Sequence, residues 1–152
     1  MAQIIICAGI SVIPYIRPVG TFQLANVLRQ AGYTVQVIDQ YPWIAHLGLD
    51  VVKQLLDKFV GPETLWIGYS KIEQMVPGSP MAWHLPSKPG TTPGNEDLRT
   101  NTLLFSEEEI HDLRAFVHKK NPNVKFVLGG ARSPKGRIAL FSPLVDIYIE
   151  GY

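Results

Sequence analysis

Val124-Lys125-Phe126-Val127-Leu128-Gly129-Gly130, followed after a gap by Val145-Asp146-Ile147-Tyr148-Ile149-Glu150-Gly151-Tyr152, is the pair of segments from which the fold can be read. Val124–Leu128 is a short apolar run between Asn121-Pro122-Asn123 and Gly129-Gly130. It predicts a buried strand that ends in a tight turn. The Gly-Gly pair leaves no Cβ at the strand's carboxyl end, so the backbone can turn sharply and a flat or bulky group can come close to it. In the second segment Val145, Ile147 and Ile149 alternate with Asp146, Tyr148 and Glu150, the pattern of a half-exposed strand.

Outward from this pair, the chain repeats one theme. Gln3–Gly9 is continuously apolar, as a strand covered on both faces should be. A helix is predicted over Thr21–Ala31, with Leu24, Val27, Leu28 and Ala31 as its buried stripe and Gly32 as its stop. Thr34–Asp39 alternates and predicts an edge strand. Asp50–Val60 carries a helical stripe of Val52, Leu55, Leu56 and Phe59, closed by Gly61-Pro62, and Thr64–Tyr69 predicts a third strand. Ser106 and Glu109 form a capping box for a helix whose face is Ile110, Leu113, Phe116 and Val117, ending at Asn121-Pro122. Ser133-Pro134 predicts a short last helix to about Leu140.

Strand and helix alternating five times, less the last helix, give an α/β fold. It is a three-layer, doubly wound, five-stranded parallel sheet with right-handed crossovers. The second and fifth strands are the most amphipathic and belong at the edges. That predicts the flavodoxin-like order 2-1-3-4-5, with a ligand crevice where the first and third strands part; the Rossmann-like order 3-2-1-4-5 is the alternative. Residues 1–152 read as one domain. Its one irregularity is a Pro/Gly-rich insert at 70–105 holding Met75, Met81, Trp83, His84 and Leu85, an apolar content that suits an ordered lid or a partner surface, with a mobile insert as the alternative.

Composition narrows the function classes. With 46% hydrophobic residues, 18% charged and a net charge of +1, there is no electrostatic footprint for nucleic acid or an anionic membrane surface. The only cysteine, Cys7, lies in a buried strand and reads as inert packing; a single Cys excludes a disulfide or an all-cysteine metal site. The start Met1-Ala2-Gln3-Ile4 lacks the basic n-region of a signal peptide and no segment approaches membrane-spanning length, which predicts a cytoplasmic protein.

The first loop is no dinucleotide fingerprint, since Gly9 to Gly20 contains no Gly-x-Gly-x-x-Gly, and no phosphate-binding Gly-x-x-x-x-Gly-Lys motif occurs. A phospho-receiver would need acidic residues after the first strand, where Cys7-Ala8-Gly9 stands. His46, His84, His111 and His118 are scattered, with His111 and His118 read as surface residues. No self-sufficient catalytic set is present.

The chain resembles the cobalamin (vitamin B12)-binding domain found at the N-terminus of cobalamin-dependent radical S-adenosylmethionine enzymes. The resemblance is carried by Arg17-Pro18-Val19-Gly20, by Leu24 to Asp39 with its Ala31-Gly32-Tyr33 turn, by Ile67-Gly68-Tyr69-Ser70, by Val127-Leu128-Gly129-Gly130 and by Val145 to Gly151. It implies a corrin over the carboxyl edge of the sheet and a nucleotide tail beside the strands, bordered by Ser70, Gly129 and Gly130. The cofactor-binding residues it implies are Arg17, Pro18, Gly20, Tyr69, Ser70, Gly129, Gly130, Ala131 and Gly151.

Three departures qualify the match. The Asp-x-His-x-x-Gly motif that gives cobalt a histidine in related mutases is absent, and His46-Leu47-Gly48 follows the wrong strand, so no metal ligand is carried over. The insert exceeds the usual third connection. The sequence stops about where the family continues into a catalytic barrel, and one cysteine cannot hold its Cys-x-x-x-Cys-x-x-Cys iron–sulfur cluster.

The expectation is a cobalamin-binding module, not catalytic alone, that presents its cofactor to a separate or missing catalytic domain or chain carrying an iron–sulfur cluster. The alternatives are a cofactor-free interaction domain acting through the 70–105 insert, and a nucleotide or sugar-nucleotide half-enzyme using Asp39, Tyr69 or His84.

Overall fold

The structure is a computed structural model, in which residues 1–8, 19–70, 107–131 and 145–150 are described. Five strands, β1 (Ile4–Cys7), β2 (Val35–Ile38), β3 (Trp66–Ser70), β4 (Lys125–Ala131) and β5 (Ile147–Glu150), form one sheet in the order β2-β1-β3-β4-β5. Every pair is parallel. The flavodoxin-like order is therefore the observed one. The helices are α1 (Val19–Gln30), α2 (Tyr41–His46), α3 (Leu49–Phe59) and α4 (Glu107–Lys120). The predicted helix after Ser133, the Ser106 cap and nearly all of the 70–105 insert lie outside the described residues.

The two faces of the sheet are unequal. Ile5, Cys7, Ile67 and Phe126 point to the side covered by α3 and α4, where Val52, Leu56, Leu113 and Val117 are buried against them. Ile4 and Ile6 point to the other side and meet Ala25 and Leu28 of α1, with Val35 and Val37 of β2. A continuously apolar β1 follows directly, since both of its faces are covered.

Polar residues tie the amino edge of the sheet. The buried Asn121 amide donates to the carbonyls of Gly61, Pro62 and Thr64 at 2.8–3.1 Å, while its oxygen accepts the Asn123 N–H. The Thr64 hydroxyl donates to the Ala2 carbonyl at 2.7 Å and accepts the Gly61 N–H at 2.9 Å. One knot thus joins the ends of α3 and α4 to the starts of β1 and β3, and it satisfies backbone groups that would be costly to bury alone. Gly32, at φ 93°, closes α1 with the paired N–H bonds of a Schellman motif, Gly32 to Arg29 and Tyr33 to Leu28.

Several sequence expectations are corrected. The buried stripe of α1 is Thr21 and Ala25 with the half-buried Leu28, whereas Leu24, Val27 and Ala31 are exposed. Small residues let the helix lie close to β1 and β2, and that contact outweighs the larger side chains. Gly129 and Gly130 do not form a turn after β4; the strand runs on through them to Ala131, with a register irregularity opposite β5. In β5 the inward residue is Tyr148, packed near Leu128 and Ile110, while Ile147 and Ile149 are exposed. His118 is half-buried rather than a surface residue: its Nε2 lies 3.0 Å from the Val124 carbonyl and its ring stands edge-on to Phe126. The short helix α2, which the sequence reading did not place although a proline in the first turn is a start signal, begins after Gln40 in the left-handed region and donates the Tyr41 N–H to the Ala8 carbonyl.

Asp146 clasps β5 to the rest. Its carboxylate accepts the Phe126 N–H at 2.7 Å and the Arg114 guanidinium at 2.9 Å, and its own N–H donates to the Phe126 carbonyl. Partial burial pushes the carboxyl up, but the Phe126 N–H and Arg114 outweigh it and hold the group below the ordinary carboxylate value. A depressed value stabilises the fold above the unfolded-state pKa and loses that stabilisation as pH falls through the folded-state value. Asp146→Asn is therefore expected to lose on the order of 1–3 kcal/mol at neutral pH, measured by urea unfolding. The gap to the parent should narrow between neutral pH and acid conditions in which the carboxylate is protonated. An equal gap at both pH values would mean that the carboxylate's charge is not what holds β5.

Candidate functional site

The site grows from the carboxyl ends of the three central strands. β1 and β3 are neighbours, yet their connections leave in opposite directions, toward β2 and toward β4, which opens a crevice between them. In register, Cys7 stands beside Tyr69, Tyr69 beside Leu128, and Ser70 beside Gly129. Residues alternate between faces along each strand, so this edge has two different sides.

On the α3/α4 side it is aromatic and dry. The Tyr69 ring meets Tyr41 edge-on at 5.6 Å and lies near-parallel to Phe126 at 6.3 Å. Burial first, then the neighbouring Tyr69 and Cys7, pushes the Tyr41 hydroxyl well above its usual value. Burial likewise pushes the Tyr69 hydroxyl and the Cys7 thiol up. All three stay protonated at neutral pH, and a protonated, buried thiol is a poor nucleophile. The Tyr41 hydroxyl is buried without a well-formed hydrogen bond. Among the described residues this side is packed.

On the α1 side the same edge alternates apolar side chains with glycines, and the buried Val127 of β4 stands directly beside Gly68. Gly68 in β3 and Gly129 in β4 lie on this face, level with Ile6 of β1 and Ile149 of β5. A Cβ built on Gly68 has the Ile5 carbonyl as its nearest described neighbour, at 3.8 Å; one on Gly129 meets the Ile149 Cβ at 3.6 Å. Both are ordinary contacts, so packing among the described residues does not demand glycine at either place. What the glycines leave is a pair of side-chain gaps, diagonal to each other on β3 and β4, a short lane bordered by Val127. α1 starts at this edge without an acidic residue in its first turn, and around Gly20 a Cβ would find open space. That first turn carries the positive end of the helix dipole, which favours a negative charge.

Of the residues expected at the site, Tyr69, Ser70, Gly129, Gly130 and Ala131 come together at the carboxyl ends of β3 and β4, and Gly20 lies at the start of α1 above the same edge. Tyr69 turns into the core rather than toward the lane. Arg17, Pro18 and Gly151 lie outside the described residues. The sequence reading missed Gly68 and Tyr41. Gly68, two residues before Ser70, was detectable as a second side-chain-free position on the same face. Asp39 accepts the Gln40 N–H at 3.0 Å and serves the turn into α2. Among the described residues no cluster of His, Cys, Asp and Glu could hold a metal ion, and no helix is long and apolar enough to cross a membrane.

No protein-family model, curated protein or solved structure matches the chain.

Because a Cβ at Gly129 would make only an ordinary contact with Ile149 among the described residues, Gly129→Ala is expected to change stability by less than about 1 kcal/mol in thermal or urea unfolding. A larger loss would show that the fold itself needs the glycine.

Proposed function

We propose that this chain is a cobalamin-binding module, holding the cofactor's nucleotide tail in the lane on the α1 side of β3 and β4. The observation that carries the reading is the lane itself, Gly68 and Gly129 on one face beside Ser70, with no packing reason to be glycine. Glycines inside strands are otherwise a liability, and close approach of a ligand is their usual explanation. Ser70 places a hydroxyl-bearing residue directly beside Gly129, suited to bond a polar tail in a narrow space. The start of α1, with Gly20 and without carboxylates in its first turn, favours a phosphodiester at the mouth of the lane. Resemblance of the strand-end segments to the cobalamin-binding family supports the same placement.

Bound cobalamin supplies a cobalt centre within its own corrin ring. The chain's part is to bind and orient: the lane fixes the tail, and the dry Tyr41–Tyr69–Cys7 packing keeps the sheet rigid beneath it. The reading assigns no cobalt ligand and no catalytic group to this chain. It presents the cofactor to a catalytic domain or chain carrying an iron–sulfur cluster.

The test is titration of the purified chain with hydroxocobalamin and with methylcobalamin, followed by the visible spectrum and by retention of colour through gel filtration. Retained colour is expected, with Gly129→Leu and Ser70→Leu each weakening binding by about tenfold or more while far-UV circular dichroism is unchanged. A folded chain that retains no colour would refute the cofactor reading.

A further inference from the structure

Strand β2 ends the order of the described sheet, with β1 as its neighbour there. Thr34 and Ile38 turn their carbonyls to β1, where they accept the Ile4 and Ala8 N–H groups. Backbone groups alternate with a period of two, so the N–H and C=O groups of Val35 and Val37 point away from the sheet. An outward row of this kind is a template for another strand. The sequence suits that use. Tyr33-Thr34-Val35-Gln36-Val37-Ile38 is six residues, mostly strand formers, with no charge, no proline and no glycine.

Both outward carbonyls are occupied from within the chain. Arg29, in the last turn of α1, donates from Nη2 to the Val35 carbonyl at 2.8 Å. Gln36 folds back and donates from Nε2 to the Val37 carbonyl at 2.8 Å. The fold explains why these two side chains reach the edge. The Gly32 turn brings α1 back over β2, with Leu28 packed near Val35 and Val37, and Arg29 follows Leu28 at the rim. Gln36 alternates with Val35 and Val37, so its side chain lies off the face that α1 covers.

The Arg29 bond is exposed and the Gln36 bond half-buried, so neither contributes much to stability. Their position carries the meaning. In an antiparallel pairing of β2 with β2 of a second copy, centred on Gln36, Val35 of each copy stands opposite Val37 of the other. Each such pair exchanges both of its N–H···O bonds, and the two acceptors it needs are the two that Arg29 and Gln36 hold. The strand has no charge of its own to repel a newcomer, and α1 brings one to it.

We propose that Arg29 and Gln36 guard the β2 edge, keeping the chain from joining its sheet to that of a second copy in a closed, two-fold β2–β2 dimer. Joining requires both side chains to leave their carbonyls, and it leaves a guanidinium charge at the seam.

The test is the dimer dissociation constant by sedimentation equilibrium, for the parent chain and for Arg29→Ala/Gln36→Ala. The double variant is expected to dimerise at least about tenfold more tightly than the parent, with slower hydrogen exchange at the Val35 and Val37 amides. Arg29→Lys, which keeps a donor and a charge, should match the parent. So should Lys119→Ala, which removes one exposed cation from α4 on the other face of the sheet. Arg29→Ala/Gln36→Lys should return to the parent's behaviour, because two lysines would meet across the two-fold axis. Thermal melting checks the fold. Should the double variant melt far below the parent, the single variants Arg29→Ala and Gln36→Ala carry the test, each expected to dimerise about threefold or more tightly than the parent. A folded variant no more associated than the parent would overturn the proposal. So would a dimer that persists in Arg29→Ala/Gln36→Lys, or a parent dimer that already protects the Val35 and Val37 amides, since the two side chains would then exclude nothing.

Discussion

The handedness of strand-to-strand crossovers is the constraint on which the rest of this structure depends. In the order β2-β1-β3-β4-β5, only the step from β1 to β2 runs toward that edge, so α1 stands on one face and α3 and α4 on the other. The heavily covered face became the main core, with Phe126, Ile5, Leu56 and Ile67 fully buried. The other face holds the glycines Gly68 and Gly129 and the exposed Trp66, Ile147 and Ile149. Opposite directions at β1 and β3 also part their connections and open the crevice. One topological rule thus sets α1 on one face and α3, α4 and the main core on the other.

The division of labour is visible within single strands. In β3, Ile67 and Tyr69 point into the core while Trp66 and Gly68 lie on the α1 face. A period of two makes each strand serve both purposes, and a one-residue slip would exchange them. Polar clasps guard against such a slip: Asn121 and Thr64 tie the amino edge, and Asp146 fixes β5 on β4 through Phe126 and Arg114. The ion pairs Lys53–Asp112 and Lys120–Asp57 between α3 and α4 are at the surface and add little to this.

Much of the fold was legible because its signals are local and strong. The apolar run Ile4–Cys7, the stripe Val52, Leu55, Leu56 and Phe59, and the Gly32 stop each follow from period, burial or φ. The strand order was legible because amphipathic strands belong at edges. Facing was harder to read. Leu24 and Val27 resemble a core stripe, yet close approach of Ala25 to β1 decides which side of α1 is buried. Ile147 and Ile149 resemble core residues, yet Tyr148 takes the inward place because Leu128 and Ile110 are there to receive it. Hydrophobicity alone does not say whether a face has a partner. The site was half legible: Ser70, Gly129 and Gly130 stand at strand ends that sequence can find, but the pairing of Gly68 with them exists only in the register.

The central claim is that a nucleotide-bearing cofactor lies along β3 and β4 on the α1 side. The most direct measurement is a map of backbone amide chemical shifts in the labelled chain on adding cobalamin, compared with cobinamide, which has the corrin without the nucleotide tail. The expected result is shifts at Gly68–Ser70 and Gly129–Ala131 that appear with cobalamin and largely vanish with cobinamide, while Gln3 and Val124 at the amino edge stay still. Identical shifts from both compounds, or shifts centred on the amino edge, would contradict it.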